Sequence, residues 1–141
     1  MKKDIKQSIV YQKSYEDDFG RIEGIYNQEV VGYLTYKIDY KTRSSWLYKV
    51  AVPSEYRTCG IGSDLMAIYE NECCLNRLNY IEGKFYPEGE DGDKVRTFYE
   101  NRGYSVYKDG YETYVGKSSL SKQDLSNLKI EEKITEQEKT Q

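Results

Sequence analysis

The residues best suited to do chemistry lie where an apolar run gives way to a helical pattern: Val52-Pro53-Ser54-Glu55-Tyr56-Arg57-Thr58-Cys59-Gly60-Ile61-Gly62-Ser63-Asp64. A strand that ends in a glycine turn and enters a helix aims several backbone N–H groups at one spot, at the positive end of the helix dipole. Such a spot binds phosphate. The GxxxxGK[ST] nucleotide loop needs a lysine that this stretch lacks, and the GxGxxG dinucleotide pattern fails because Leu65 follows Asp64 where a third glycine belongs. What remains is R-x-x-G-x-G over Arg57–Gly62. Its glycines admit close backbone approach to a pyrophosphate, and its arginine can add a charge-assisted bond of roughly 1.5–3 kcal/mol.

Other chemistries are narrowed by what the chain contains. It has no histidine, so Ser–His and Cys–His nucleophile schemes and His-ligated metal sites are excluded. Cys59, Cys73 and Cys74 have neither disulfide-framework nor CxxC spacing and read as packed thiols. Acidic side chains outnumber basic ones by 24 to 21, a net charge of −3, with no long run of either sign. No direct nucleic-acid or anionic-membrane partner is expected from that balance. The absence of a long apolar run or a signal-like start points to a cytoplasmic location.

The elements that must position this turn follow from periodicity. Arg21–Tyr26 and a second β-rich run from Glu29 to Tyr40 flank the polar pair Asn27-Gln28 and predict a hairpin. Trp46–Val52 predicts a third strand ended by Pro53; Ile61, Leu65, Ile68, Tyr69 and Cys73 then predict a helix to about Asn76. Leu78–Tyr86 predicts a strand. Asp91 or Asp93 is the expected cap of a short helix carrying Val95, Phe98 and Tyr99 and stopping at Gly103, and a final hairpin is centred on Asp109-Gly110. SIVY, near the start, reads as a strand candidate and YEDDF as at most one turn. The order β-β-β-α-β-α-β-β predicts an α/β (α+β) fold on a mostly antiparallel sheet. Residues 1–117 form the expected domain, and 118–141 a charged tail, disordered or marginally helical, with Leu125, Leu128 and Ile134 as its thin apolar stripe.

R-x-x-G-x-G after a strand, together with Phe98-Tyr99-Glu100-Asn101-Arg102-Gly103-Tyr104 one helix and one strand later, resembles the GNAT family of N-acetyltransferases over roughly Arg21 to Gly116. The resemblance implies a mixed, mostly antiparallel sheet flanked by helices. It implies acetyl-CoA as cofactor, with its pantetheine arm paired to the strand Tyr48–Val52, Val50 and Val52 included. Its pyrophosphate would be gripped by main-chain N–H groups of Arg57, Thr58, Cys59, Gly60, Ile61, Gly62 and Ser63. Asp64, an acid in the first helical turn, is expected to suit the dipole and face solvent.

The implied reaction is attack of a primary amine on the acetyl thioester. Tyr99 matches the family's tyrosine that supplies a proton to the departing thiolate. The position of a catalytic glutamate in histone-type members is Trp46 here, which leaves Glu82 as the candidate base; Glu88, Glu90, Asp91 and Asp93 would attract a cationic acceptor by their field. The family's N-terminal helices, which wall the acceptor side, are abbreviated to about 20 residues before Arg21. That shortness implies an open site for a protein lysine, an N-terminus or a polyamine, as in small phage-borne acetyltransferases that act on host proteins. Pairing of exposed sheet edges into a homodimer is also expected. The alternative is a non-catalytic acyl-CoA sensor or interaction module.

Overall fold

A computed structural model of the 141-residue chain describes residues 2–87 and 91–133. A 3-10 helix (Lys2–Ser8) leads into β1 (Val10–Glu16), β2 (Phe19–Tyr26), β3 (Glu29–Asp39) and β4 (Ser44–Ala51). Then come α1 (Ile61–Leu75), β5 (Tyr80–Phe85), α2 (Gly92–Asn101), β6 (Ser105–Asp109), β7 (Glu112–Lys117) and β8 (Lys129–Glu132). The strands make one sheet in the order β6-β7-β5-β4-β3-β2-β1-β8. Only β4 with β5 and β1 with β8 run parallel. The mostly antiparallel α/β sheet expected from sequence is therefore the architecture.

Local chemistry explains the hairpins. Asn27 and Gln28 both take positive φ, 52° and 67°, which matches the right-handed strand twist in a two-residue turn closed by Tyr26 and Glu29. The last hairpin turns at Gly110-Tyr111, one residue later than expected, because Asp109 pairs with Glu112 and the positive φ falls on Gly110. The N-terminal stretch departs further: Tyr15 and Glu16 continue β1, and Asp17-Asp18 forms the turn into β2. No helix separates these two strands.

Both helices lie on one sheet face. Tyr69 of α1 donates a hydrogen bond to Ser45 Oγ (2.7 Å), Ser45 pairs with Ile81, and Phe85 on the same side of β5 meets the Tyr99 ring edge-on. Ile22, Leu34, Ile38, Leu65, Ile68 and Ile81 are fully buried between the layers. The opposite face carries no helix among the described residues. Phe19 stacks on Tyr48 there, both about half exposed, and Trp46 meets Tyr48 and Tyr114 edge-on.

The C-terminal segment corrects the expectation of disorder or marginal helix as far as residue 133. Residues 118–128 run without regular structure, Leu120, Leu125 and Leu128 pack against the core, and Lys129–Glu132 adds to β1 as a parallel edge strand. The apolar residues too sparse for a helical stripe suffice for an extended strap, because β1 offers backbone partners and Gln123 N–H finds Asn71 Oδ1 at 2.9 Å. Ile134 lies outside the described residues.

Candidate active site

The site begins with a change in backbone pairing. β4 and β5 are paired from Ser44 with Tyr80 to Leu47 with Gly83, and the pairing stops there although β4 continues to Ala51 and β5 to Phe85. On its other side β4 loses register with β3, where Thr35 opposes Lys49 and Tyr36 opposes Leu47, so Tyr48 is an inserted residue. A bulge bends and twists a strand. The consequence is an opening, a slot between two parallel strands, walled on one side by the stretch from Tyr48 towards Val52, Val50 included. That stretch keeps its pairing with β3 as far as Ala51 but has no strand partner among the described residues on the side facing β5.

The slot leads to the glycine turn. Pro53 ends the strand, Ser54–Tyr56 forms one 3-10 turn, and Gly60 takes φ +75° at the cap of α1. That φ favours glycine. Asp64 N–H is the first to bond back in helical fashion, to the Gly60 carbonyl at 3.1 Å, so the N–H groups of Ile61, Gly62 and Ser63 precede the ladder and no cap side chain takes them. A Cβ on Gly62 would meet Phe98 Cζ at 3.6 Å, an ordinary contact. The protein's own packing therefore does not require glycine at 62, which leaves room for a ligand against the main chain as the reason for it.

Three expected residues are engaged differently from the sequence reading. The Arg57 Nε donates to the Val52 carbonyl at 3.2 Å and its Nη1 to Asp91 Oδ2 at 2.6 Å, so the guanidinium ties the strand end to the start of α2. Asp91 holds the cap position of α2 yet makes no side-chain cap bond, its carboxylate serving Arg57 instead. Asp64 does not face solvent. Its carboxylate accepts the Tyr11 hydroxyl at 2.8 Å and lies 3.8 Å from Lys6 Nζ, with 14% of the side chain exposed. Thr58 and Ser63 are exposed, whereas Cys59 is buried under the turn.

The proton-handling candidates fall on opposite faces. Tyr99 is nearly buried among Phe85, Phe98 and Tyr104, and burial pushes its phenol up to about 12, so it keeps its proton through the physiological range. Glu82 stands directly opposite Trp46 on the open face, at the rung before the slot opens. Tyr107 donates a hydrogen bond to Glu82, and burial followed by that bond holds the Tyr107 phenol above its ordinary value. A recess of ≈570 Å³ runs beside Trp46, Tyr80 and Glu82 towards Asp18 and Asp39. Glu88 and Glu90 lie outside the described residues; Asp93 begins α2. Lys6, Tyr11 and Tyr107 were not legible in sequence, since each comes to the site from an element remote in sequence; Tyr11 and Asp64 are 53 residues apart.

An opening whose free strand edge leads to a helix start with uncapped N–H groups suits an extended cofactor with a phosphate-bearing end, the arrangement of acetyl-CoA-dependent transferases. The model of the acetyltransferase (GNAT) domain matches residues 16–106, and the chain belongs to that family, whose members use acetyl-CoA. Solved structures agree in fold. The chain is 17% identical to the PaiA N-acetyltransferase of Thermoplasma acidophilum in complex with coenzyme A, over 72% of this chain and 62% of that one, with a TM-score of 0.63. It is 20% identical to Ard1 of Thermoplasma volcanium (74% and 72% covered, TM-score 0.60) and 11% identical to Tetrahymena Gcn5 (73% and 69%, TM-score 0.59). No curated protein matches the chain.

Proposed function

We propose that the protein transfers the acetyl group of acetyl-CoA to a primary amine borne by a protein lysine, an N-terminus or a polyamine. The observation that carries this is the release of β4 from β5 beyond Leu47–Gly83, directly before the Gly60 turn. The β5-facing edge of Tyr48–Val52 would pair with the pantetheine arm, and the N–H groups of Ile61, Gly62 and Ser63 would hold the pyrophosphate. The bound cofactor supplies an activated acetyl thioester. Everything else is the work of this chain's residues.

An alkyl ammonium with a pKa of about 10.4 is neutral only about once in a thousand near pH 7, so a proton must be taken up. Glu82, beside the recess at the rung where β4 and β5 are still paired, would take it. Tyr99, on the helix face, would give one to the leaving sulfur. Separation on two faces keeps donor and acceptor from exchanging a proton with each other. The open sheet face, with no helix over Trp46 and Tyr48 among the described residues, would admit an amine on a long or bulky carrier.

A non-catalytic acyl-CoA sensor is the second reading, favoured by Trp46 at the position of the histone-type glutamate and by the commitment of Glu82 to Tyr107. Free thiol should be followed on mixing the protein with acetyl-CoA and either a lysine-rich peptide or spermidine, alongside the melting midpoint with and without CoA. Thiol release that falls about 100-fold in Tyr99→Phe, with the CoA-induced midpoint shift intact, supports the enzyme. A midpoint shift with no release from either acceptor supports the sensor. No shift at millimolar CoA removes both.

A further inference from the structure

We infer that Lys6, from the N-terminal 3-10 helix, belongs to the cofactor site and supplies the positive charge that faces the CoA pyrophosphate. The inference rests on the placement of the pyrophosphate at the Gly60 turn. Its starting point is the arginine of the turn: Arg57 donates to Asp91 at 2.6 Å and to the Val52 carbonyl, so part of its charge and two of its donors are already engaged within the protein. A pyrophosphate resting only on main-chain N–H groups would keep most of its charge uncompensated.

A second cation reaches the turn from elsewhere in the chain. Lys6 Nζ lies 3.2 Å from the point where a side chain on Gly60 would begin, over the residue whose positive φ opens the turn. Asp64 Oδ1 is 3.8 Å away, while the other oxygen of that carboxylate, Oδ2, accepts the Tyr11 hydroxyl at 2.8 Å. The ammonium is about half exposed, so it keeps donors to offer a ligand. Its placement is anchored rather than incidental: Ile5 packs on the core, and Ile9 and Tyr11 are buried. Asp64, an acid that would repel an anion, thereby becomes the group that aims the lysine at one. The N-terminal segment lies outside residues 16–106 matched by the family model, so nothing in the turn motif announces this contact.

Titration calorimetry of CoA into wild type, Lys6→Gln and Lys6→Arg tests this, with dephospho-CoA, which lacks the 3′-phosphate, as a second ligand. Loss of one charge-assisted contact should weaken CoA by about tenfold or more in Lys6→Gln, and Lys6→Arg should largely restore it. The deficit should shrink as salt is raised and should be the same with dephospho-CoA. Without ligand the midpoint of Lys6→Gln should match wild type, because a half-exposed pair at this distance adds little. Wild-type affinity in Lys6→Gln at low salt overturns the inference, and a deficit confined to CoA and absent with dephospho-CoA reassigns the lysine to the 3′-phosphate and overturns it as stated. If wild type itself binds neither ligand, the placement of CoA fails first, a distinguishable result.

Discussion

At Gly62 the molecule separates two reasons for a glycine. Gly60 has a conformation that favours its residue type, with φ +75°, whereas a Cβ at Gly62 would meet Phe98 and Val52 at ordinary distances. Gly62→Ala should therefore fold, with a midpoint within a few degrees of wild type, yet lose much of the stabilisation that saturating CoA gives; at 100 times its dissociation constant a ligand adds about 2.7 kcal/mol. A mutant that still shifts with CoA as far as wild type would show that the pyrophosphate does not approach this main chain. Arg57 and Asp64 teach the complementary lesson. Their types suggested ligand and solvent, and their partners, Asp91 and Tyr11, turned out to be protein groups that only folding brings near.

Between elements, the firmest tie is Glu70. This carboxylate is 1% exposed on α1 and accepts from Arg102 Nε and Lys117 Nζ at 3.0 Å and from the Tyr104 hydroxyl at 3.1 Å. It fastens α1 to the end of α2 and to β7, and so holds Tyr99 and the turn in one frame. Removing one partner of such a buried cluster leaves the other charges uncompensated, at about 3–5 kcal/mol. Glu70→Ala should accordingly lower the melting midpoint by about 10 °C, and a drop under about 2 °C would show that the cluster bears little of the fold. The helices themselves were legible from their apolar spacing. Glu70 was not, because a charge on the inward face is intelligible only once Arg102 and Lys117 are known to converge there.

Taken whole, the chain is a tyrosine-rich sandwich, with 16 of its 141 residues tyrosine. Burial holds the phenols of Tyr11, Tyr15, Tyr69 and Tyr104 well above their ordinary value, and Asp64 adds to this at Tyr11, the Tyr36 hydroxyl at Tyr15, Cys73 at Tyr69 and Glu70 at Tyr104. Below about pH 10 folded and unfolded chains both keep these protons, so stability does not depend on them. Above it the unfolded chain binds fewer protons than the folded one, and stability falls as pH rises. Tyrosinate absorbance followed with circular dichroism should show the buried phenols ionising together with cooperative unfolding. Smooth ionisation ahead of unfolding would contradict the burial. The strap from Lys117 to β8 belongs to this scale too, since it closes the β1 edge with residues remote in sequence.

What the amino-acid sequence determined by itself was what depends on near neighbours. Hairpins, helix faces, the Gly60 turn and the Phe98–Tyr104 segment are written in spacing and turn chemistry, and two such motifs in order carried the family. What the tertiary structure alone decided was pairing across the sheet. The slot exists because the pairing of β4 and β5 stops beyond Leu47 and Gly83 and Tyr48 is inserted against β3, and a register is a relation between strands that no single segment contains. Lys6 over the turn, Tyr107 on Glu82 and β8 on β1 are relations of the same kind. Each depends on where folding places a distant partner.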